Sequence, residues 1–230
     1  MRVAAILTAA GSGTRLGSPE PKALVRLGND PLVRHAALRL HDGGVQEVVV
    51  TCPPDRVAEV SRLVDDVGAH CVVGGATRQA SVAVALSMLP DGVDAVLVHE
   101  AARALASPAL VRRLIAALDG GAQAAIPGLP VVDTVKRVAD GVVTETLDRR
   151  ELVVVQTPQA FRVDLLRGVH HAGRLLALDE HTAVSDDAGL VERFSDVDVH
   201  VVPGEDQAMK ITTRTDLALA EAMLSSGEWR

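Results

Sequence analysis

The chain has 230 residues, of which 48% are hydrophobic, and it carries a formal net charge of -7. With two Phe, one Trp and no Tyr, it predicts one domain, residues 1–230, around an aliphatic core. The acidic balance and the scarcity of aromatic rings argue against nucleic-acid recognition by base stacking. The sequence shows no membrane-spanning apolar run and no signal-like segment, so we expect a cytoplasmic protein with Cys52 and Cys71 reduced.

The first predicted strand leads directly into a glycine-rich loop. An apolar run over residues 3–7 has the length of one buried strand, and Gly11 and Gly13 follow it closely. Glycines let successive backbone N–H groups turn toward one anion, and Arg15 and Lys22 add two positive charges along the same loop. The pattern predicts a polyphosphate-binding loop, although the glycines alone would also suit a tight turn.

Two better-known glycine loops do not fit this segment. The P-loop pattern is absent, because Lys22 follows a proline and is followed by Ala23. The dinucleotide fingerprint is also absent, because its third glycine, Gly17, falls one position late. The loop therefore indicates another class of phosphate-binding protein.

Helices and strands then alternate along the chain. We predict a helix over residues 32–40, a strand over 45–51, a helix over 55–67 capped by Asp55, and a strand over 69–73. Strands separated by single helices form parallel βαβ units, so the fold class is α/β with a mostly parallel sheet. Such sheets bind ligands beyond the carboxyl ends of their strands, and the segments after each strand should hold the site.

Two of these segments carry residues suited to a nucleotide. Gly75 and Ser81 flank a predicted helix start, where N–H groups and the helix dipole favour an anion. An ordinary helix start capped by Thr77 would give the same pattern. After the fourth strand, Glu100 could hold a divalent metal and Arg103 could meet a phosphate, although the two could also simply pair with each other.

The second half of the chain departs from the βαβ pattern. Alternating β-branched residues around Asp140-Gly141 predict a hairpin arm within residues 131–155. His170, His171 and His181 lack metal-ligand spacing, and we interpret them as surface residues. The remaining predicted elements are strands over 122–126, 152–155 and 197–202, helices over 108–118, 163–176 and 216–224, and a helix ending at 194 that residues 182–187 cap.

Six further motifs follow the first loop along the chain. These motifs are Gly74-Gly75-Ala76-Thr77-Arg78-Gln79-Ala80-Ser81, His99-Glu100-Ala101-Ala102-Arg103, Asp133-Thr134-Val135-Lys136, Thr146-Leu147-Asp148-Arg149, Gln156-Thr157-Pro158-Gln159 and Met209-Lys210-Ile211-Thr212. The first loop is similar to the signature loop of sugar-phosphate nucleotidyltransferases. The later motifs resemble, in their order, those of the 2-C-methyl-D-erythritol 4-phosphate cytidylyltransferase family, and the resemblance runs from Val3 to about Leu224.

The resemblance implies a Rossmann-like nucleotidyltransferase domain with a protruding β-arm, and it implies roles for individual residues. Arg15, Lys22 and Lys210 would be catalytic, although composition alone would make Lys210 a surface lysine. Glu100 would be the metal ligand. The nucleotide-binding residues would be Ala9, Ala10, Gly11, Gly13, Gly75, Ser81 and Ala101, and the substrate-binding residues would be Arg103, Thr134, Arg149, Thr157 and Ser185.

Glu100 departs from the family pattern, which usually has Asp at this position. Glu is one methylene longer, which displaces the carboxylate by about 1 Å, and a misplacement of that order can cost about 10²-fold in rate. We expect Mg²⁺ as the cofactor, with Mn²⁺ as the alternative.

The resemblance also implies the reaction and a partner. CTP and 2-C-methyl-D-erythritol 4-phosphate would give CDP-methylerythritol and pyrophosphate. The 131–155 arm would clasp a second copy and bring Thr134 and Arg149 to its substrate phosphate, whereas the residues alone favour a solvated hairpin. Three alternatives stay open: another acceptor such as ribitol 5-phosphate, an adenylyl- or guanylyltransferase, and a nucleotide-binding protein that turns over little because of Glu100.

Overall fold

A computed structural model describes residues 1–11, 16–17, 20–179 and 181–227 of the chain. Gly13 and Arg15, which the sequence analysis assigned to the phosphate loop, lie outside the described residues. The strands are β1 (Val3–Thr8), β2 (Arg26–Leu27), β3 (Asp30–Pro31), β4 (Glu47–Cys52), β5 (His70–Val73), β6 (Ala95–Glu100), β7 (Ala124–Pro130), β8 (Lys136–Ala139), β9 (Val142–Thr146), β10 (Val153–Val155), β11 (Gln159–Arg162) and β12 (Val199–Pro203). The helices are α1 (Leu32–Asp42), α2 (Val57–Leu63), α3 (Arg78–Ser87), α4 (Pro108–Asp119), α5 (Val163–Ala172), α6 (Asp187–Phe194) and α7 (Arg214–Ser226). Among the described residues, no helix is both long enough and apolar enough to cross a membrane.

Eight of the described strands form one sheet, in the order β10-β7-β11-β6-β1-β4-β5, with β12 paired to β7. The neighbours β6, β1, β4 and β5 run parallel, which confirms the α/β fold with a mostly parallel sheet. Thr8 at the end of β1 lies level with Thr51 on β4 and with Glu100 on β6. The carboxyl ends of these three strands therefore meet at one edge of the sheet.

The central strand β1 is buried on both faces of the sheet. Val3, Ala5 and Leu7 pack into one hydrophobic core with residues of α1 and α4, while Ala4 and Ile6 pack into a second core with residues of α3 and α5. Side chains alternate between faces along a strand, so an unbroken apolar run serves both layers. This two-sided burial fixes the strand whose end supplies the first loop.

One strand of the sheet was not predicted. Instead of passing directly from residue 155 to a helix, the chain forms β11, which lies antiparallel between β6 and β7. Four residues that follow Thr157-Pro158 are too short to show the alternation that identifies a strand. The strand matters for the site because it carries Gln159 and fixes the preceding Thr157 beside β6.

The predicted cap of the second helix was wrong. The helix begins at Val57 without a side-chain cap, and the carboxylate of Asp55 lies 3.4 Å from Arg56 Nε instead. An aspartate caps a helix only when its side chain reaches the N–H two or three residues ahead. Here the Asp55 carboxylate pairs with Arg56 and does not cap the helix.

The interpretation of His170 as a surface residue was also wrong, whereas His171 and His181 are exposed as predicted. The side chain of His170 is 5% exposed, and its Nε2 atom lies 2.9 Å from Asp187 Oδ1 on α6. His170 shares one face of α5 with the buried residues Leu166 and Val163, which lie four and seven positions earlier. The helical period therefore places it inside.

The predicted hairpin is present. Strands β8 and β9 pair antiparallel, and their turn residues Asp140 and Gly141 both have positive φ, 49° and 79°. This pattern is typical of the tight turns that match strand twist. Both strands are exposed along their whole length.

The burial of β6 makes a quantitative prediction about stability. Leu97 is fully buried in the centre of the sheet, so we expect Leu97→Ala to lower the free energy of unfolding by about 2–5 kcal/mol through lost burial and a residual cavity. The same change at Leu178, which is 76% exposed, should cost less than about 0.5 kcal/mol. Urea denaturation of both variants measures the difference, and equal losses would contradict the described core.

Candidate active site

Small residues bring two loops together at the carboxyl edge of the sheet. A Cβ on Gly74 would lie 2.6 Å from the Cβ of Ala10, and a Cβ on Gly75 would lie 2.5 Å from that of Ala80. Ser81 Oγ accepts a hydrogen bond of 3.0 Å from the Gly75 N–H, which ties the loop to α3. The loop after β5 can therefore close onto the loop after β1 only because glycines occupy these positions.

The start of α3 also carries the cap that we considered as the alternative. The Thr77 hydroxyl accepts a hydrogen bond of 3.0 Å from the Ala80 N–H. An ordinary capped helix start is thus present, and it forms part of a cavity wall at the same time.

A cavity of about 390 Å³ lies where these loops meet. It is bounded by the segments after β1, β5 and β6 and by the return before α7. The predicted site residues that line it are Ala9, Ala10, Gly11, Lys22, Gly75, Ser81, Glu100, Ala101 and Lys210.

A second cavity of about 220 Å³ adjoins the first. Three charged side chains, those of Arg78, Glu100 and Lys210, line both cavities. The predicted residues Arg103, Thr157 and Ser185 line the second cavity together with Gln159 and Asp186. The two cavities therefore form adjacent compartments with a charged boundary.

Glu100 lies at the centre of this boundary and faces three cations. Its Oε1 accepts a hydrogen bond of 2.8 Å from Lys210 Nζ, and Arg78 Nε lies 3.8 Å from the same oxygen. Arg103 Nε lies 3.5 Å from Oε2. Burial by itself raises the pKa of Glu100, but Lys210, Arg78 and Arg103 outweigh it and hold the pKa below its usual range. Glu100 is therefore an ionised carboxylate in a half-enclosed site.

A second buried ion pair lies behind Arg78. Its Nη2 donates to Asp187 Oδ2 at 2.7 Å, and the other oxygen of Asp187 lies 2.9 Å from His170 Nε2. Burial alone would raise the pKa of Asp187, but Arg78 and His170 lower it to about 2. The start of α3 is thus connected to α5 and α6 through one carboxylate.

His99 holds Thr157 against the end of β6. The ring is 1% exposed, and its Nδ1 lies 3.0 Å from Thr157 Oγ1, which also accepts a hydrogen bond of 3.1 Å from the Glu100 N–H. Burial, assisted by the nearby Arg103, lowers the pKa of His99 to about 3. The imidazole is therefore neutral at pH 7 and acts as a hydrogen-bonding group.

Comparison with known proteins assigns this geometry to a family. The family model described as "IspD: 2-C-methyl-D-erythritol 4-phosphate cytidylyltransferase" matches residues 3–226. The 2-C-methyl-D-erythritol 4-phosphate cytidylyltransferase of Saccharopolyspora erythraea is 46% identical over 235 residues, which cover 98% of this chain and 100% of the relative. The chain belongs to the 2-C-methyl-D-erythritol 4-phosphate cytidylyltransferase family.

Solved structures of this cytidylyltransferase family agree with the fold. The 4-diphosphocytidyl-2C-methyl-D-erythritol synthase of Anaerococcus prevotii superposes with a TM-score of 0.84 at 30% identity, covering 97% of this chain and 98% of that one. The 2-C-methyl-D-erythritol 4-phosphate cytidylyltransferase of Thermus thermophilus superposes with a TM-score of 0.80 at 36% identity, covering 98% and 100%. The resemblance first identified from motifs is thereby confirmed, as is the enzyme class.

Two residues expected at the substrate lie apart from the rest. Thr134 and Arg149 belong to the hairpin region, and neither lines the two cavities that the described residues form. Arg149 instead donates to the backbone carbonyl of Val132. The resemblance to the cytidylyltransferase family implied that these two residues act across a dimer, and that role stays a prediction.

Several lining residues were missing from the predicted site, among them Arg78, Gln159 and Asp186. Arg78 offered a signal, because a positive charge in the first turn of a helix is unfavourable beside the helix dipole. Its presence there indicates a compensating interaction elsewhere. Gln159 belongs to a motif that carried the family resemblance, and Asp186 lies in the segment predicted to cap a helix. Their contact was not predicted, since the hydrogen bond of 2.7 Å that joins them spans β11 and the cap of α6.

The neutral state of His99 predicts how stability depends on pH. In the unfolded chain a histidine has an ordinary pKa of about 6.5, so the unfolded state binds the proton first and stability falls as pH drops from 6.5 toward 3. His99 alone should remove about 2 kcal/mol of unfolding free energy between pH 7 and pH 5.

Urea denaturation of the His99→Gln variant at these two pH values tests this expectation. The variant should lose about 2 kcal/mol less than the wild type over the same interval. His200→Gln, at an exposed position of β12, controls for the loss of one histidine elsewhere. An unchanged pH dependence in His99→Gln would show that the ring takes up its proton in the folded protein as readily as in the unfolded chain.

Proposed function

We propose that this chain transfers CMP from CTP to 2-C-methyl-D-erythritol 4-phosphate, giving CDP-methylerythritol and pyrophosphate in the non-mevalonate route to isoprenoid precursors. The observation that carries the proposal is family membership over nearly the whole chain, with 46% identity to a relative of that name. The two adjacent cavities support it, because a reaction that joins two phosphorylated substrates needs two compartments with a shared cationic boundary.

In this proposal CTP occupies the larger cavity and the acceptor occupies the smaller one. A phosphate oxygen of the acceptor attacks the α-phosphorus of CTP and forms a new P–O bond. The bond from the α-phosphorus to the oxygen that bridges to the β-phosphorus breaks, and pyrophosphate leaves with that electron pair. The second pKa of a phosphate monoester is about 6, so the nucleophile is ionised at pH 7 and needs no general base.

The protein would therefore act by placing charge and by aligning its substrates. Lys22 lines the larger cavity and Lys210 lines both, which suits contacts to the phosphates of CTP and of the acceptor. Fixed cations stabilise the negative charge that develops as the α-phosphorus is attacked. Arg15 keeps the same catalytic role as a prediction from sequence.

Mg²⁺, or Mn²⁺ as the alternative, is part of the proposal, and Glu100 is the residue that would hold it. The described residues contain no group of three or more His, Cys, Asp or Glu side chains placed to bind a metal. One ionised carboxylate on a cavity wall nevertheless fits Mg²⁺, which proteins commonly hold through one or two carboxylates together with substrate phosphates and water. Bound there, the ion would neutralise charge on the nucleotide phosphates.

We also propose that the 131–155 arm joins two copies of the chain into a homodimer. The arm and its base expose apolar side chains, with Val132 at 77%, Val142 at 65% and Val154 at 55%. Exposed valines on a protruding hairpin suit a surface that a second copy covers. In the dimer, Thr134 and Arg149 of one protomer would contact the acceptor phosphate bound to its partner.

We also propose, from the sequence, that residues 1–230 form a single nucleotidyltransferase domain. The protein would be cytoplasmic, without nucleic-acid or membrane partners.

Pyrophosphate release from CTP tests the function directly. We expect release that depends on 2-C-methyl-D-erythritol 4-phosphate in Mg²⁺, and a loss of about 100-fold in kcat/KM for Lys210→Gln because a phosphate-binding cation is removed. Ribitol 5-phosphate, GTP and ATP serve as competing substrates. Faster turnover with any of them would reassign the substrate, and CTP binding without any turnover would indicate a binding protein.

Mixing inactive variants tests the shared site. Lys210→Ala and Arg149→Ala would damage opposite sides of each dimeric site, so remixed dimers should recover up to about a quarter of wild-type activity. Arg150→Ala is the matched control, because its side chain is 87% exposed and pairs with Asp148, and it should leave activity unchanged. Failure to recover activity on remixing, with dimers present by size-exclusion chromatography, would place both residues in one chain's site.

A further inference from the structure

The boundary between the two cavities is a network of paired charges. Arg78, Arg103 and Lys210 surround Glu100, and Arg78 also pairs with Asp187. A third carboxylate, that of Asp186, lines the smaller cavity and attracts Arg78. Three cations and three carboxylates thus balance, so a phosphate that recruits one cation leaves a carboxylate in need of a new partner.

Lys210 is the cation best placed to leave this group. Its side chain is 40% exposed, compared with 19% for Arg78 and 13% for Arg103. It holds Glu100 through a single hydrogen bond of 2.8 Å and faces both cavities. In the described part of the chain, Lys210 is the one side chain that donates a hydrogen bond to the Glu100 carboxylate. A phosphate that draws Lys210 away would break this hydrogen bond.

Arg78 and Arg103 have donors ready for that carboxylate. Among the described residues, Arg78 Nε, Arg78 Nη1 and Arg103 Nε are buried side-chain nitrogens without a hydrogen-bond partner. Buried donors without partners are costly, and both Nε atoms lie 3.5–3.8 Å from Glu100, just beyond hydrogen-bond distance. A small shift of the carboxylate away from Lys210 would satisfy them.

Arg78 differs from Arg103 because it is anchored from behind. Its Nη2 donates to Asp187, which is fully buried and also contacts His170. The guanidinium is therefore fixed at one end by α6 and α5 and faces Glu100 at the other. Nothing in the proposed reaction uses this arrangement.

We propose that Arg78, anchored by Asp187, is a positioning residue that receives and orients the Glu100 carboxylate when Lys210 moves to a substrate phosphate. The inference rests on the proposed function and names a residue to which that function assigns no role. The longer side chain of Glu, compared with the Asp usual in the family, gives this carboxylate the reach to pass from Lys210 to Arg78.

A double-mutant cycle tests the inference, because a residue that acts through Glu100 loses its effect once Glu100 is altered. We expect Arg78→Gln to lower kcat by about 10- to 100-fold, as misplacement of a charged group by about 1 Å does, with the KM values for both substrates changing less than about threefold. In the Glu100→Gln background, the further change on adding Arg78→Gln should be less than about twofold.

Three controls separate positioning from general damage. Arg78→Lys keeps the charge but cannot reach both carboxylates, so it should retain more activity than Arg78→Gln, and it serves as the test variant if Arg78→Gln fails to fold. Arg34→Gln removes an arginine–aspartate pair with Asp66 that is more exposed and lines neither cavity, and its effect should be small and additive with Glu100→Gln. Glu100→Asp replaces Glu100→Gln as the background if the latter is too slow to assay.

The outcomes are distinct. Wild-type turnover with equal losses from Arg78→Gln in both backgrounds, or with no loss at all, overturns the positioning role and leaves the proposed function intact. An inactive wild type with every acceptor and metal overturns the proposed function and this inference with it.

Discussion

The structure of the site depends on one carboxylate at the end of one buried strand. Glu100 is the last residue of β6, and three cations from three separate segments converge on it: Arg78 at the start of α3, Arg103 after β6, and Lys210 before α7. Without that negative charge the three cations would repel one another across a small space. Glu100 therefore holds the cationic boundary together until a phosphate arrives to share it.

The sheet supports this arrangement by fixing where the strands end. Thr8, Thr51 and Glu100 are level because β1, β4 and β6 are parallel neighbours in register. The antiparallel β11 then places Thr157 beside His99 and the Glu100 N–H. The residues in the loops can vary, but the carboxyl edge of the sheet to which the loops attach is rigid, because β1 is buried on both faces.

Three buried titratable groups in the site each have a defined protonation state. Glu100 and Asp187 stay ionised because neighbouring cationic side chains offset the cost of burial. His99 stays neutral because burial and the nearby Arg103 together outweigh the attraction of Glu100. Burial acts in the same direction on all three, against the charged form, and the neighbours decide the result. The site therefore combines fixed charges for phosphates with an uncharged hydrogen-bonding group behind them.

Much of this molecule was determined locally by its sequence. The apolar run of β1, the glycines after β1 and β5, the capped start of α3, the start of α4 at Pro108, and the Asp140-Gly141 turn all follow from short-range backbone and side-chain preferences, and each was predicted. The segments that form the larger cavity were also predictable, because parallel strands collect the segments that follow them at one edge.

The tertiary structure alone decided which distant groups meet. Nothing local indicates that Arg78 reaches Asp187, 109 positions away, that His170 meets the same carboxylate, or that Lys210 bonds Glu100 across 110 positions. The short strand β11 gave no periodic signal, and its place between β6 and β7 depends on the whole sheet. Charges and hydrogen bonds act over a few ångströms, so their partners become defined only when packing has set the distances.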